Sequence, residues 1–142
     1  MRGHDIYKAA LQSKSVLIVE DEEVVAEVIK EVVSPVVSEL ESARNGVDGL
    51  IKIMDRDFDY ILLDVRMPRM SGTELFRHLS VYKPHLLRRV IFITGDTESE
   101  ETRTFIKKNN CRSLNKPFMI RELLEAMAGL MPEQLPEEFP PA

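Results

Sequence analysis

Three stretches of the chain are short, apolar and uninterrupted: Val16-Leu17-Ile18-Val19, Tyr60-Ile61-Leu62-Leu63 and Val90-Ile91-Phe92-Ile93. Runs of this length, rich in β-branched residues and closed by polar ones, read as strands buried on both faces. Two weaker segments, 38–43 (SELESA) and Cys111–Leu114, read as an edge strand and a short strand. Between these runs the apolar residues change period. Val24, Val25, Val28, Ile29, Val32 and Val33 recur at helical spacing, with Pro35 just beyond. Asn45-Gly46 marks a turn, and Val47, Leu50, Ile51 and Met54 follow as a second amphipathic helix. Leu75, Phe76 and Leu79 face inward from a helix over Thr73 to about Tyr82, which Pro84 stops. Phe105 and Ile106 anchor a polar helix over 98–109. Ile120, Leu123, Leu124, Met127 and Leu130 form a last helical face. Strand and helix alternate five times, the pattern of a parallel sheet covered by helices on both faces. Ligands in such open sheets bind beyond the carboxyl ends of the strands, where the strand order reverses.

The two ends of the chain fall outside this alternation. Residues 1–14 are weakly patterned and read as a leader or linker, with a helical turn around Ile6, Ala9 and Ala10. Residues 132–142 (PEQLPEEFPPA) are dominated by proline and glutamate and read as a disordered tail. The domain is therefore expected over 15–131. A chain of 142 residues supports one such core. Its net charge of −5 argues against a nucleic-acid surface, which needs clustered Lys and Arg. No apolar run approaches the roughly 20 residues of a membrane span, and the N-terminus lacks the apolar core of a signal peptide. The single cysteine, Cys111, forms no internal disulfide and fits a reducing cytoplasm. His4, His78, His85 and Cys111 are too scattered for a zinc site.

The candidate chemistry lies at the strand ends. The first strand runs into Glu20 and Asp21, the third ends on Asp64, the fourth on Thr94, and Lys116 follows the fifth by two residues. One such acid is commonly a helix cap or a solvated strand end. Four strands placing polar groups on one edge point instead to a site. Three converging carboxylates repel one another and are raised in pKa by desolvation, and a divalent cation relieves both. Magnesium prefers a few carboxylates, waters and a phosphate. A lysine and a threonine hydroxyl at the same point suit an incoming phosphoryl group. Asp64 is then either a metal ligand or the nucleophile of an aspartyl-phosphate.

Four segments in order, LIVEDEE, ILLDVRMPRMSG, VIFITGD and NKPF, resemble the response-regulator receiver domain of two-component signalling over about residues 15–131. The resemblance implies a flavodoxin-like (βα)5 doubly wound fold, five parallel strands in the order 2-1-3-4-5. It implies that Asp64 accepts a phosphoryl group from a histidine kinase or histidine phosphotransfer protein. Asp21 and Asp64 would coordinate Mg2+, with Glu20 acting mainly through water and the backbone carbonyl of Arg66 completing the set. Thr94 would contact the phosphoryl oxygen, and Lys116 would pair with it next to a cis bond to Pro117. It implies a signalling module rather than a turnover enzyme, a monomer or weak dimer. RVIFITGDTESEETRTFIKKNN and LNKPF look most like receivers of hybrid sensor kinases, in which Asp64 would be a phosphorelay intermediate.

The chain departs from the family pattern at Ser113, where Tyr or Phe is usual, so no large ring can swing inward beside Thr94. Arg66 and Asp96 border the site mouth and are expected to pair and screen the acyl phosphate from water. Lys107, Lys108 and Arg112 read as a small solvated basic face, and Cys111 as a small core residue. A dehalogenase-like phosphatase needs a D-x-D pair, but Val65-Arg66 follow Asp64, and no P-loop is present. A receiver-like interaction module that takes no phosphate is the remaining alternative.

Overall fold

The computed structural model describes residues 2–95 and 99–129, with residues 2–5 as backbone alone. Asp96, Leu130 and the tail over 132–142 lie outside the described residues. Five strands, β1 (Ser15–Val19), β2 (Glu39–Ala43), β3 (Tyr60–Asp64), β4 (Val90–Thr94) and β5 (Arg112–Asn115), form one sheet in the order β2-β1-β3-β4-β5. Every pairing is parallel. Six helices connect or flank them: α1 (Arg2–Leu11), α2 (Glu23–Val33), α3 (Gly46–Asp55), α4 (Gly72–Tyr82), α5 (Glu100–Lys108) and α6 (Ile120–Ala128). The flavodoxin-like order expected from the sequence is thus the observed one.

Alternation along the central strands divides the core. Leu17, Val19, Ile61, Leu63, Val90 and Phe92 point to one face, where α3 and α4 bring Ile53, Leu75, Phe76 and Leu79. Val16, Ile18, Leu62, Ile91 and Ile93 point to the other, met by Ile29 and Val33 of α2 and Leu123, Leu124 and Met127 of α6. Period-two strands covered on both sides become the unbroken apolar runs seen in the sequence.

Three segments differ from the sequence reading. Residues 2–11 are a packed helix rather than a loose leader: Tyr7 and Leu11 are fully buried against the α2/α6 side. Their spacing of four places both on one face, whereas Ala9 and Ala10 are exposed. On α2 the six apolar positions span about half the helix circumference at ~100° per residue. The sheet covers only the side of Ile29 and Val33, which leaves Val24 77% and Val28 50% exposed. After Pro84 the chain forms a 3-10 turn over Pro84–Arg89 that buries Leu86.

Candidate functional site

Register brings the polar strand ends together. Val19 lies opposite Leu63, Asp64 opposite Ile93, and Thr94 opposite Asn115. The ladder continues one step past the strands. Glu20 N donates to Ala43 O at 3.0 Å, and Lys116 N donates to Thr94 O at 2.8 Å. Glu20, Asp64, Thr94 and Lys116 therefore share the carboxyl-end rim of the sheet, beside the strand-order reversal at β1 and β3.

The loop after β3 is held close to that rim. Gly72 N donates to Val65 O at 2.8 Å. A Cβ on Gly72 would stand 2.1 Å from the Asp64 carbonyl oxygen, so the residue opening α4 has to be glycine. Arg69 supplies the positive φ of 71° that turns the loop, and Met70 N closes it onto Pro68 O at 2.8 Å. Ser71 then caps α4 in a reciprocal pair with Glu74.

Three of the rim side chains are buried. Glu20 is 3%, Asp64 5% and Thr94 2% exposed. Glu20, Asp21 and Asp64 each present a carboxylate oxygen within 4.8 Å of the other two. Lys116 Nζ lies 3.2 Å from Glu20, 3.1 Å from Glu22 and 3.5 Å from Asp64. Burial first, and then the Glu20 charge, pushes the Asp64 carboxyl up to about 7, against the pull of Lys116. Burial lowers Lys116, but its hydrogen bond to Glu22 and the charges of Asp64 and Glu20 outweigh that and hold the ammonium above its ordinary value. One lysine thus faces more negative charge than it neutralises. An all-oxygen donor set with surplus charge fits a hard divalent cation.

A cavity of about 420 Å³ opens onto this cluster, lined by Asp21, Glu22, Asp64, Arg66, Thr94, Gly95 and Lys116. Of the residues named from the sequence, Glu20, Asp21, Asp64, Arg66, Thr94 and Lys116 are brought together here. The Lys116–Pro117 bond is cis. The expected partner of Arg66, Asp96, lies outside the described residues. Glu22 was not assigned a role from sequence. Its signal was its place in the Glu20–Glu23 run, but only the fold shows that it reaches Lys116. Glu20 Oε2 also accepts from Glu22 N at 3.1 Å, which fixes this acidic turn.

Ser113 stands at the side of the site, exposed on β5. Cys111 is half-buried, and burial pushes its thiol up to about 11. Arg112 is no solvated charge: its guanidinium donates to Ala126 O and, at 3.1 Å, to Arg88 O, tying β5 to α6.

Residues 16–128 match the response regulator receiver domain. Response regulator MprA of Mycobacterium sp. (strain KMS) is 30% identical over 125 residues, covering 88% of this chain and 54% of that protein. The chain spans about half the length of the curated relatives it matches. Among solved structures, a CheY-like receiver domain protein from Methanospirillum hungatei JF-1 superposes with a TM-score of 0.75 at 29% identity, covering 83% of this chain and 93% of that one. Vibrio cholerae chemotaxis protein CheY4 superposes with a TM-score of 0.73 at 26% identity, covering 84% and 99%. With its strand order, its acidic rim and a match over most of its length, the chain belongs to the response regulator receiver domain family.

Proposed function

We propose that this receiver domain accepts a phosphoryl group on Asp64 from the phosphohistidine of a histidine kinase or histidine phosphotransfer protein. The buried Asp64, flanked by Glu20 and Asp21 and faced by Lys116, is the observation that carries this reading. A carboxylate oxygen of Asp64 attacks phosphorus, the P–N bond breaks, and the imidazole nitrogen leaves with the electron pair and takes up a proton. Lys116 already lies within reach of Asp64 and offers a positive charge to the developing phosphoryl oxygens. Thr94 offers its hydroxyl from the neighbouring strand end.

Asp21 and Asp64, with Glu20 acting mainly through water and the Arg66 carbonyl beside them, are the residues that would hold Mg2+. When bound, the ion supplies neutralising charge for the cluster and the incoming phosphate. The all-oxygen cluster and the raised Asp64 support that assignment. No helix among the described residues is long and apolar enough to cross a membrane, and the single cysteine fits a cytoplasmic setting. The phosphorylated domain then signals by conformational change or passes the group on in a phosphorelay, as a signalling module without turnover.

Intact mass after incubation with acetyl phosphate tests this. The wild type should gain one phosphoryl group only with magnesium present, and Asp64→Ala should gain none. A wild type that stays unmodified both by acetyl phosphate and by a panel of phosphorylated histidine phosphotransfer proteins would remove the reading.

A further inference from the structure

Glu22 stands at the rim of the site without a part in the metal set or in the transfer step. It occupies the N-cap position of α2, yet its side chain makes no capping hydrogen bond there. Its backbone is fixed at both ends: its N–H donates to Glu20 Oε2 at 3.1 Å, and its carbonyl accepts from Ala26 N at 3.0 Å. From this anchored turn the carboxylate reaches the Lys116 ammonium, and at 3.1 Å it is the nearest of the acids around it. Glu20 follows at 3.2 Å and Asp64 at 3.5 Å. These acids differ in depth. The side chains of Glu20 and Asp64 are 2% and 6% exposed, whereas that of Glu22 is 61% exposed. Lys116 Nζ is therefore shared between one outer carboxylate and two buried ones, and its shortest contact is the outer one.

We infer that Glu22 is a positioning residue: it holds the Lys116 ammonium on the solvent side of the resting site, off Asp64, and releases it when Asp64 carries a phosphoryl group. This rests on the phosphoryl reading of Asp64. The direction follows from charge. In the resting site one ammonium is divided among Glu20, Glu22 and Asp64. A phosphoryl group raises the negative charge at Asp64 to about −2. An ion pair with a solvated partner is weak and screened, whereas attraction between buried groups is screened much less. The ammonium therefore moves inward. Release leaves Glu22 compensated, because its charge lies at the N-terminal end of α2, where the helix dipole favours an anion. The move also carries information. Ser113 puts no ring beside Thr94, and a groove of about 420 Å³ stays open between β5 and α5. On the β1 side, loss of the Lys116 contact frees a side chain at the start of α2, so occupancy of Asp64 is registered at that helix.

Beryllofluoride, a tetrahedral stand-in for a phosphoryl group on a carboxylate oxygen, reads this exchange without any transfer step. Isothermal titration of the chain at saturating magnesium gives its affinity. Glu22→Gln should bind beryllofluoride about fivefold more tightly, since no partly exposed ion pair then has to break. A substitution that merely loosened the start of α2 would weaken binding instead. Glu23→Gln is the control for charge alone. Glu23 is similarly exposed, at 67%, and pairs with Arg44 at 3.5 Å, so its removal should leave the affinity within about twofold of wild type. The ¹⁵N resonance of the Lys116 ammonium gives a second reading. In the metal-free chain Glu22→Gln should move it, and magnesium with beryllofluoride should bring wild type and variant to the same position. Equal affinity in wild type and Glu22→Gln, an equal gain in Glu23→Gln, or an unmoved ammonium resonance would overturn the inference and leave the phosphoryl reading standing. A wild type that binds no beryllofluoride would overturn it as well, and phosphorylation by acetyl phosphate then decides the phosphoryl reading separately.

Discussion

β4 under α4 and β5 under α5 are neighbouring strands of one sheet, paired in register and each beside a helix of similar length. They differ in what the helix brings. α4 buries Leu75, Phe76 and Leu79, and the Phe76 ring packs tilted against Phe92, with centroids 5.7 Å apart and planes 59° apart. α5 is mostly polar and meets the same cluster through the partly buried Phe105 and Ile106, with the Phe105 ring 6.1 Å from Phe92 and 5.5 Å from Phe76. Asp64 and Thr94 thus stand on strands whose position is fixed by dense packing. The flank beyond Thr94 is thinly covered and offers room to another group. Proteins place interaction surfaces where local stability is low and keep reacting groups on rigid elements, and here the boundary between the two runs along β4.

The contrast predicts unequal costs for removing side chains on its two sides. Phe92→Ala should cost about 3–5 kcal/mol, because a fully buried ring is lost from a dense cluster. Ser113→Ala, one strand over and directly opposite Phe92 in register, should change stability by less than about 0.5 kcal/mol. Urea unfolding midpoints measure both, and similar losses would mean that β5 is as tightly packed as β4. Gly72→Ala should cost about 3 kcal/mol, since the new methyl meets the Asp64 carbonyl, a backbone atom fixed in the sheet. The same change should slow phosphorylation by acetyl phosphate, because relief of the clash moves the strand end that carries Asp64.

Electrostatic strain is likewise confined to the rigid side. Folded Asp64 titrates at about 7, whereas an unfolded aspartate titrates near ~4. The folded chain therefore holds this proton more tightly. That contribution to stability is complete below pH ~4 and is lost as the pH rises through about 7. Metal-free protein should become less stable across this window. Asp64→Asn should remove the slope and gain on the order of 2 kcal/mol at pH 8. Magnesium, binding the ionised cluster of the folded state alone, should also flatten the curve. Thermal unfolding from pH 4 to 8, with magnesium or with chelator, measures all three effects.

Much of the packed side was legible in the sequence. Uninterrupted runs such as Val16–Val19 and Val90–Ile93 admit one reading once helical spacing follows them, and the polar residue after each run marks the rim. What escaped depended on tertiary packing. The half-turn-wide apolar arc of α2 does not say which edge meets the sheet, so Val24 and Val28 looked like core. Tyr7 and Leu11 form too short a stripe to announce α1, which is held by α6, more than 100 residues away in sequence. Glu22 was one acid in a run of four until the fold placed it 3.1 Å from Lys116. Ser113 was visible as a departure, but a missing side chain becomes a groove only when the neighbouring helix is too polar to close over it. The polarity of α5 was on the page, while its distance from β5 was not.

The finest resolution of the comparison comes from two serines with the same job. Ser71 caps α4 and Ser99 caps α5, each accepting from a backbone N–H three residues on at 3.2 Å. Removing an N-cap hydroxyl generally costs about 1 kcal/mol. Ser71→Ala should show that loss in the global unfolding midpoint, because α4 is welded to the core by Leu75, Phe76 and Leu79 and opens only when the whole domain does. Ser99→Ala should lower the midpoint by distinctly less. α5 has so little buried area that it can fray on its own, and a local opening absorbs the lost cap before global unfolding does. The deficit should appear instead as faster amide hydrogen exchange confined to residues 100–108, with β4 amides unchanged. If Ser99→Ala shifts the midpoint as far as Ser71→Ala and accelerates exchange throughout the sheet, α5 belongs to the same cooperative unit as α4. The flank of the site would then be rigid on both sides.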